Sequence, residues 1–197
     1  MTKHRLELFT DGVFAIVLTL LVLDLKVPGA RGWAGGVEIA PALLVHAATF
    51  TIVGAFWYTH HGAFARVTEI STRTVLFNLL MLFWITLLPF CAKTIAEFPK
   101  DPLGASMIAG DCALCQISLA VARLSAHSTI DDNAAMRAWR RGRLAMIWGF
   151  ILTDILGAGL AWVSPWYGYG AALATVLLFL LLRLPSVVEQ KFEHRVG

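Results

Sequence analysis

The chain has 197 residues, of which 58% are hydrophobic and 15% charged, and its formal net charge is +3. Soluble domains run near half apolar with about a quarter of residues charged, so this composition, with a mean hydropathy of +0.71, points to an integral membrane protein. It excludes a disordered chain, a disulfide scaffold and, because the basic residues are dispersed, a nucleic-acid-binding domain.

A bilayer core about 30 Å thick takes roughly 20 apolar residues per helix. Six segments meet that length: Leu8–Val27, Ile39–Thr59, Val75–Ala96, Leu103–Leu124, Leu144–Val163 and Tyr169–Leu184. They use most of the chain. The expected fold is therefore all-α and integral to the membrane, with six transmembrane helices per subunit in a single domain over residues 1–197.

With six spans, Lys3, Arg5, Arg66, Arg73, Arg123, Arg137, Arg140, Arg141, Arg143, Arg183, Lys191 and Arg195 share one side of the membrane. Only Lys26, Arg31, Lys93 and Lys100 fall elsewhere. The positive-inside rule then places both termini in the cytoplasm of a multi-pass protein of the cell (inner) membrane. Lys3 and Arg5 before an apolar run also suit a signal peptide, but no small-x-small cleavage site follows Leu23.

The first span carries an acid, Asp11, just inside its apolar run, where ionisable groups are kept for structure or transport. At about 100° per residue, Leu20, Leu23, Thr19 and Gly12 all lie within roughly 60° of Ile16, and Phe9 and Arg5 continue that stripe. Asp11 sits about 140° away from Ile16, so its partners must come from other helices. Trp57 and His60 near the end of the second span, and Asn78 near the start of the third, lie at similar depth. An indole, an imidazole and an amide converging on the carboxylate would satisfy it without water. Two roles are open for that group: a tie among three helices, or a proton relay between Asp11 and His60.

Asp24 at the far end of the first span is either a solvated acid near Lys26 or a group that concentrates cations. His60 and His61 are adjacent and face different ways on a helix, so no metal site is expected from them. Cys91, Cys112 and Cys115 lie in apolar stretches and read as packing residues, while Asp111 and Asp154 have no partners visible in the sequence. The polar stretch Ser125–Arg143 reads as a solvated cytoplasmic loop, and Ser164–Gly170 as a tight outer turn. There is no phosphate-binding loop and no nucleophile elbow, so no enzyme and no cofactor are expected.

Arg5-x-x-x-Phe9-Thr10-Asp11 resembles the Arg-x-x-x-Phe-Ser-Asp signature of the transmembrane protein 175 family of potassium channels, with Thr10 in place of serine. Trp57-x-x-His60-x-x-x-Phe64, Asn78, Leu88-Pro89-Phe90, Phe98-Pro99 and Pro102-Leu103-Gly104 match in register. The resemblance implies a homotetrameric channel for K⁺ and other monovalent cations, with the first helix of each subunit lining the pore. It implies a hydrophobic constriction at Ile16, continued by Leu20 and Leu23, and a polar pore position at Thr19 linked to potassium preference. It also implies an inter-helix network of Arg5, Phe9, Thr10, Asp11, Trp57, His60 and Asn78. A proton-coupled transporter using Asp11 and His60 is the rival reading.

Overall fold

Side-chain caps mark where the helices begin. Thr2 Oγ1 accepts from the Arg5 N–H at 3.4 Å and opens α1, Lys3–Leu20. Ser71 and Thr74 form a reciprocal capping box at the start of α3, Thr72–Glu97. Asp101 accepts from the Leu103 N–H ahead of α4, Pro102–Leu124, which has proline in its first turn. Each device satisfies donors that a helix N-terminus leaves unpaired. The other helices are α2, Gly32–Phe64; α5, Ala134–Leu160; and α6, Pro165–Arg183. The computed structural model describes residues 2–65, 67–126 and 134–183, the last stretch with side chains over 145–177.

Among the described residues there are therefore six α-helices. Four stretches, Lys3–Asp24, Gly32–Phe64, Thr72–Glu97 and Pro102–Leu124, are long and apolar enough to cross a membrane, and α5 adds a shorter apolar run, Ala145–Leu160. The chain is a multi-pass membrane protein.

Several expected boundaries move. The first span leaves α-geometry at Leu20, passes through a 3-10 turn, Leu21–Asp24, and does not reach Val27 as a helix; Pro28 follows, and the residue before a proline disfavours helix. The second span does not begin at Ile39. Its helix starts at Gly32 and carries Pro41 inside it. The expected loop over Ser125–Arg143 is helical from Ala134, so Arg137, Arg140, Arg141 and Arg143 sit on the first turns of α5. Asp131, Asp132 and Asn133 lie outside the described residues, as do Arg66, Leu184, Lys191 and Arg195. The turn between α5 and α6 comes earlier than Ser164–Gly170, at residues 161–164, and Pro165 begins the helix. Pro165 suits a first helical position because its missing N–H has no helical partner there anyway.

The first three helices pack on one another, and α4 joins them to α5 and α6. α1 buries Leu6, Thr10, Phe14 and Val17, one stripe at helical spacing that Leu21 of the 3-10 turn continues, against α2 and α3. The core continues through Ile52, Val53, Met81, Ile85 and Leu88 to Cys91, Cys112 and Cys115, which are buried free thiols. Ser71 Oγ donates to the Ser125 carbonyl at 3.0 Å, tying the start of α3 to the end of α4. At the other end, the Tyr169 hydroxyl donates to the Pro99 carbonyl at 3.1 Å.

Two glycines set how closely the second half packs. A Cβ at Gly168 would run into the Ala105 carbonyl, and one at Gly157 into Ala171. Close backbone approach through small residues is how helices associate where lipid removes the hydrophobic drive. We predict that Gly168→Ala lowers the melting temperature in detergent, at a cost of about 1–3 kcal/mol for overpacking. Gly170→Ala, whose Cβ meets nothing within 4 Å, should be neutral or slightly stabilising. Thermal shift monitored by size exclusion separates the two.

Candidate functional site

The buried face of α1 carries one polar residue, Thr10, and the helix around it supplies no partner for its hydroxyl. The partner comes from α3. Asn78 Nδ2 donates to Thr10 Oγ1 at 2.9 Å, and Asn78 Oδ1 lies 2.8 Å from His60 Nε2 on α2. Since Oδ1 only accepts, His60 carries a proton on Nε2. The imidazole stacks on Phe64, with ring centroids 4.5 Å apart, and lies near Phe14. Thr10, His60 and Asn78 are all buried. Three helices thus meet at one satisfied chain of hydrogen bonds in an apolar setting, where an unpaired member would be costly.

Asp11, one residue on, points about 100° away from Thr10 and is exposed. Trp57 Nε1–H donates to its Oδ1 at 2.9 Å. The expected three-donor cradle is therefore divided. The indole serves Asp11, whereas the amide serves Thr10 and the imidazole pairs with the amide. Adjacent residues on a helix face different neighbours, and α3 packs on the Thr10 side. Arg5 and Phe9, the remaining members of the sequence motif, lie on the exposed side of α1.

Along that uncovered side run Ile16 at 59% exposed, Leu20 at 45% and Leu23 at 75%. Thr19 is also exposed, and its hydroxyl donates to the Ile16 carbonyl at 2.8 Å. This is the face opposite the Leu6–Leu21 packing stripe. Asp24 is exposed and pairs with Lys93 of α3 at 3.6 Å, while Lys26 pairs with Glu97 at 3.0 Å.

A second buried polar group went unread in the sequence. Asp154 of α5 is fully buried; it accepts from Gln116 Nε2 of α4 at 2.7 Å and from Thr175 Oγ1 of α6 at 3.1 Å. Its partners lie 38 and 21 residues away on separate helices, so no local spacing announces them. Asp111 is buried on α4, with Cys115 Sγ 4.0 Å from its Oδ2.

Asn78→Ala should remove both bonds at once and leave Thr10 and His60 buried without partners, costing about 2–4 kcal/mol. Trp57→Phe loses a bond to an exposed carboxylate and should cost under about 1 kcal/mol. Thermal melts of the purified protein compare them. Equal losses would place the tie at Asp11 instead.

A family model described as endosomal/lysosomal potassium channel TMEM175 matches residues 5–89. A protein named potassium channel from Chryseobacterium sp. (strain P1-3) is 40% identical over 105 residues, 52% of this chain and 55% of that protein. The chain thus matches little more than half the length of that relative. A protein named potassium channel from Chamaesiphon minutus is 29% identical over 190 residues, 90% of this chain and 93% of the relative. The crystal structure of a lysosomal potassium-selective channel TMEM175 homolog from Chamaesiphon minutus superposes with a TM-score of 0.77 at 25% identity, covering 92% of this chain and 98% of that one.

Proposed function

The chain belongs to the TMEM175 family, a family of ion channels and not of enzymes, and from that premise we propose that it forms a potassium-preferring cation channel of the cell membrane. The reading takes residues 1–197 as one channel domain of six spans with both termini cytoplasmic, in line with the Lys/Arg distribution. Four copies assemble with α1 of each lining the pore. The partners are the bilayer, K⁺ and other monovalent cations, and no cofactor takes part.

One observation carries the reading. α1 turns Thr10, Phe14 and Val17 onto its neighbours, which leaves Ile16 and Leu20, with Leu23 in the turn that follows, on the exposed face among the described residues. Ile16 stands five residues after the motif aspartate. Four isoleucines converging on an axis make a dry neck that closes by dewetting and opens when the helices tilt or rotate apart. Potassium passes more readily than sodium because it sheds its hydration shell at lower cost. Thr19 supports that preference: its proton is committed to the Ile16 carbonyl, so its lone pairs are free to face a partly dehydrated cation. Asp24 adds negative potential at the outer mouth, reduced by its pairing with Lys93.

The rival transporter needs a proton to pass between Asp11 and His60. The group that touches Asp11 is an indole, which donates but does not accept, and His60 is turned to Asn78. Among the described residues, no side-chain hydrogen bond joins Asp11 to His60 directly, which favours the channel reading.

In liposomes loaded with K⁺, Ile16→Asn should raise passive potassium flux by about an order of magnitude by wetting the neck. The wild-type flux should need no proton gradient. Wild-type flux only in the presence of such a gradient would favour the transporter, and unchanged flux in a well-folded Ile16→Asn tetramer would remove Ile16 from the gate.

A further inference from the structure

Among the described residues, side-chain hydrogen bonds and ion pairs tie the first span to its neighbours at two levels, midway along α1 and just beyond its end. Midway along α1 are the Thr10–Asn78 and Asp11–Trp57 bonds. From Gly12 to Leu23, among the described residues, no side chain hydrogen-bonds to another helix, since the one polar group there, Thr19, turns to its own backbone. Immediately beyond, the 3-10 turn ends at Asp24, which meets Lys93, and Lys26 meets Glu97. Lys93 and Glu97 stand four residues apart on α3, on one face of the helix. The following bend is held separately, where Glu38 accepts from the Gly29 and Ala30 N–H groups at 3.1 and 3.0 Å.

Packing holds the first span as far as Leu21 and loosens beyond it. The exit of α1 borders a cavity of about 170 Å³ whose lining includes Leu21, Leu25, Ile39, His46 and Ala92 as well as Lys93. Leu21 is itself packed into the core, but beyond it the cavity is walled on α3 by the small Ala92 and Ala96, and His46 Nδ1 is buried without a hydrogen-bond partner. Where apolar contact is loose, the position of the segment rests on the ionic contacts around it.

We propose that Lys93 and Glu97 are positioning residues for the pore helix: with Asp24 and Lys26 they form an ionic clasp that sets the outer end of α1, and through it the spacing of Leu20 and Leu23. This rests on the channel reading for its consequence, but the clasp itself is a property of the fold. Both pairs are solvent-facing, so salt weakens them. Exposed pairs are individually weak, and two acting on one short segment shift its opening by about threefold to tenfold.

The test is hydrogen exchange by mass spectrometry on the full chain in nanodiscs, paired with potassium flux in liposomes. The doubly neutral Lys93→Met, Glu97→Gln chain should exchange residues 21–31 about threefold to tenfold faster than wild type at low salt, with residues 5–19 unchanged. In 1 M salt the difference should vanish, because the Debye length falls to about 3 Å. Flux should change by a similar factor. Swapping one pair, Asp24→Lys with Lys93→Asp, should return the exchange of residues 21–31 towards the wild-type rate. Unchanged exchange in the neutral variant would overturn the clasp, and faster exchange with wild-type flux would overturn its positioning role. A wild-type chain that carries no potassium would retire the channel reading, and the exchange comparison would still decide the clasp.

Discussion

A hydroxyl, an amide and an imidazole lie out of solvent between α1, α2 and α3, in a chain whose surroundings hold no water to compensate them. In lipid each unsatisfied polar group costs several kcal/mol, so Thr10, Asn78 and His60 are stable only as a set with one geometry. Moving α1 by a turn along α3 would strand the Thr10 hydroxyl and leave the Asn78 amide N–H without its acceptor. The register of the first three helices follows from that constraint, because apolar packing alone offers many sliding alternatives of similar energy. With the register of α1 set, its rotation follows too: Leu6, Phe14 and Val17 go inward with Thr10, and Ile16 and Leu20 go outward.

The two halves of the bundle are held by different means. Among the described residues, α1 packs on α2 and α3 along one stripe, with polar contacts midway along it and, just past its end, at Asp24. α4 is the most enclosed of the four long apolar helices, and it joins α5 and α6 through the Asp154 group and the glycine contacts. A helix packed along one stripe has more freedom to tilt than one wedged between backbones. The division suits a pore-lining element carried on a stiff support.

Much of the first half could be read from the chain itself. The stripe through Ile16, Leu20 and Leu23 follows from 3.6-residue periodicity, and periodicity is local information. That Asp11 needs a partner from another helix follows equally from its angle. Which helix takes which donor is not local: Thr10 and Asp11 differ by one step, and only the side on which α3 packs decides that Asn78 goes to the hydroxyl. Helix lengths were misjudged where apolar character and helical geometry part company, as at Gly32–Ile39 and Ala134–Arg143, which are helical outside the hydrophobic run. Asp154 was opaque for the same reason as Asn78. Its donors come from two other helices, and no spacing links them.

The meeting of Gly168 with the Ala105 backbone has a consequence for how this bundle tolerates change. An interface made of side chains can absorb a substitution by moving to other rotamers, so its spacing drifts with composition. Backbone against backbone has no rotamers to redistribute. At that point the distance from α6 to α4 is a fixed length, set by atomic radii. The α3–α4 turn, tied to α6 through Tyr169 and Pro99, inherits the same reference point, so differences among sequences of this kind have to be taken up elsewhere in the bundle.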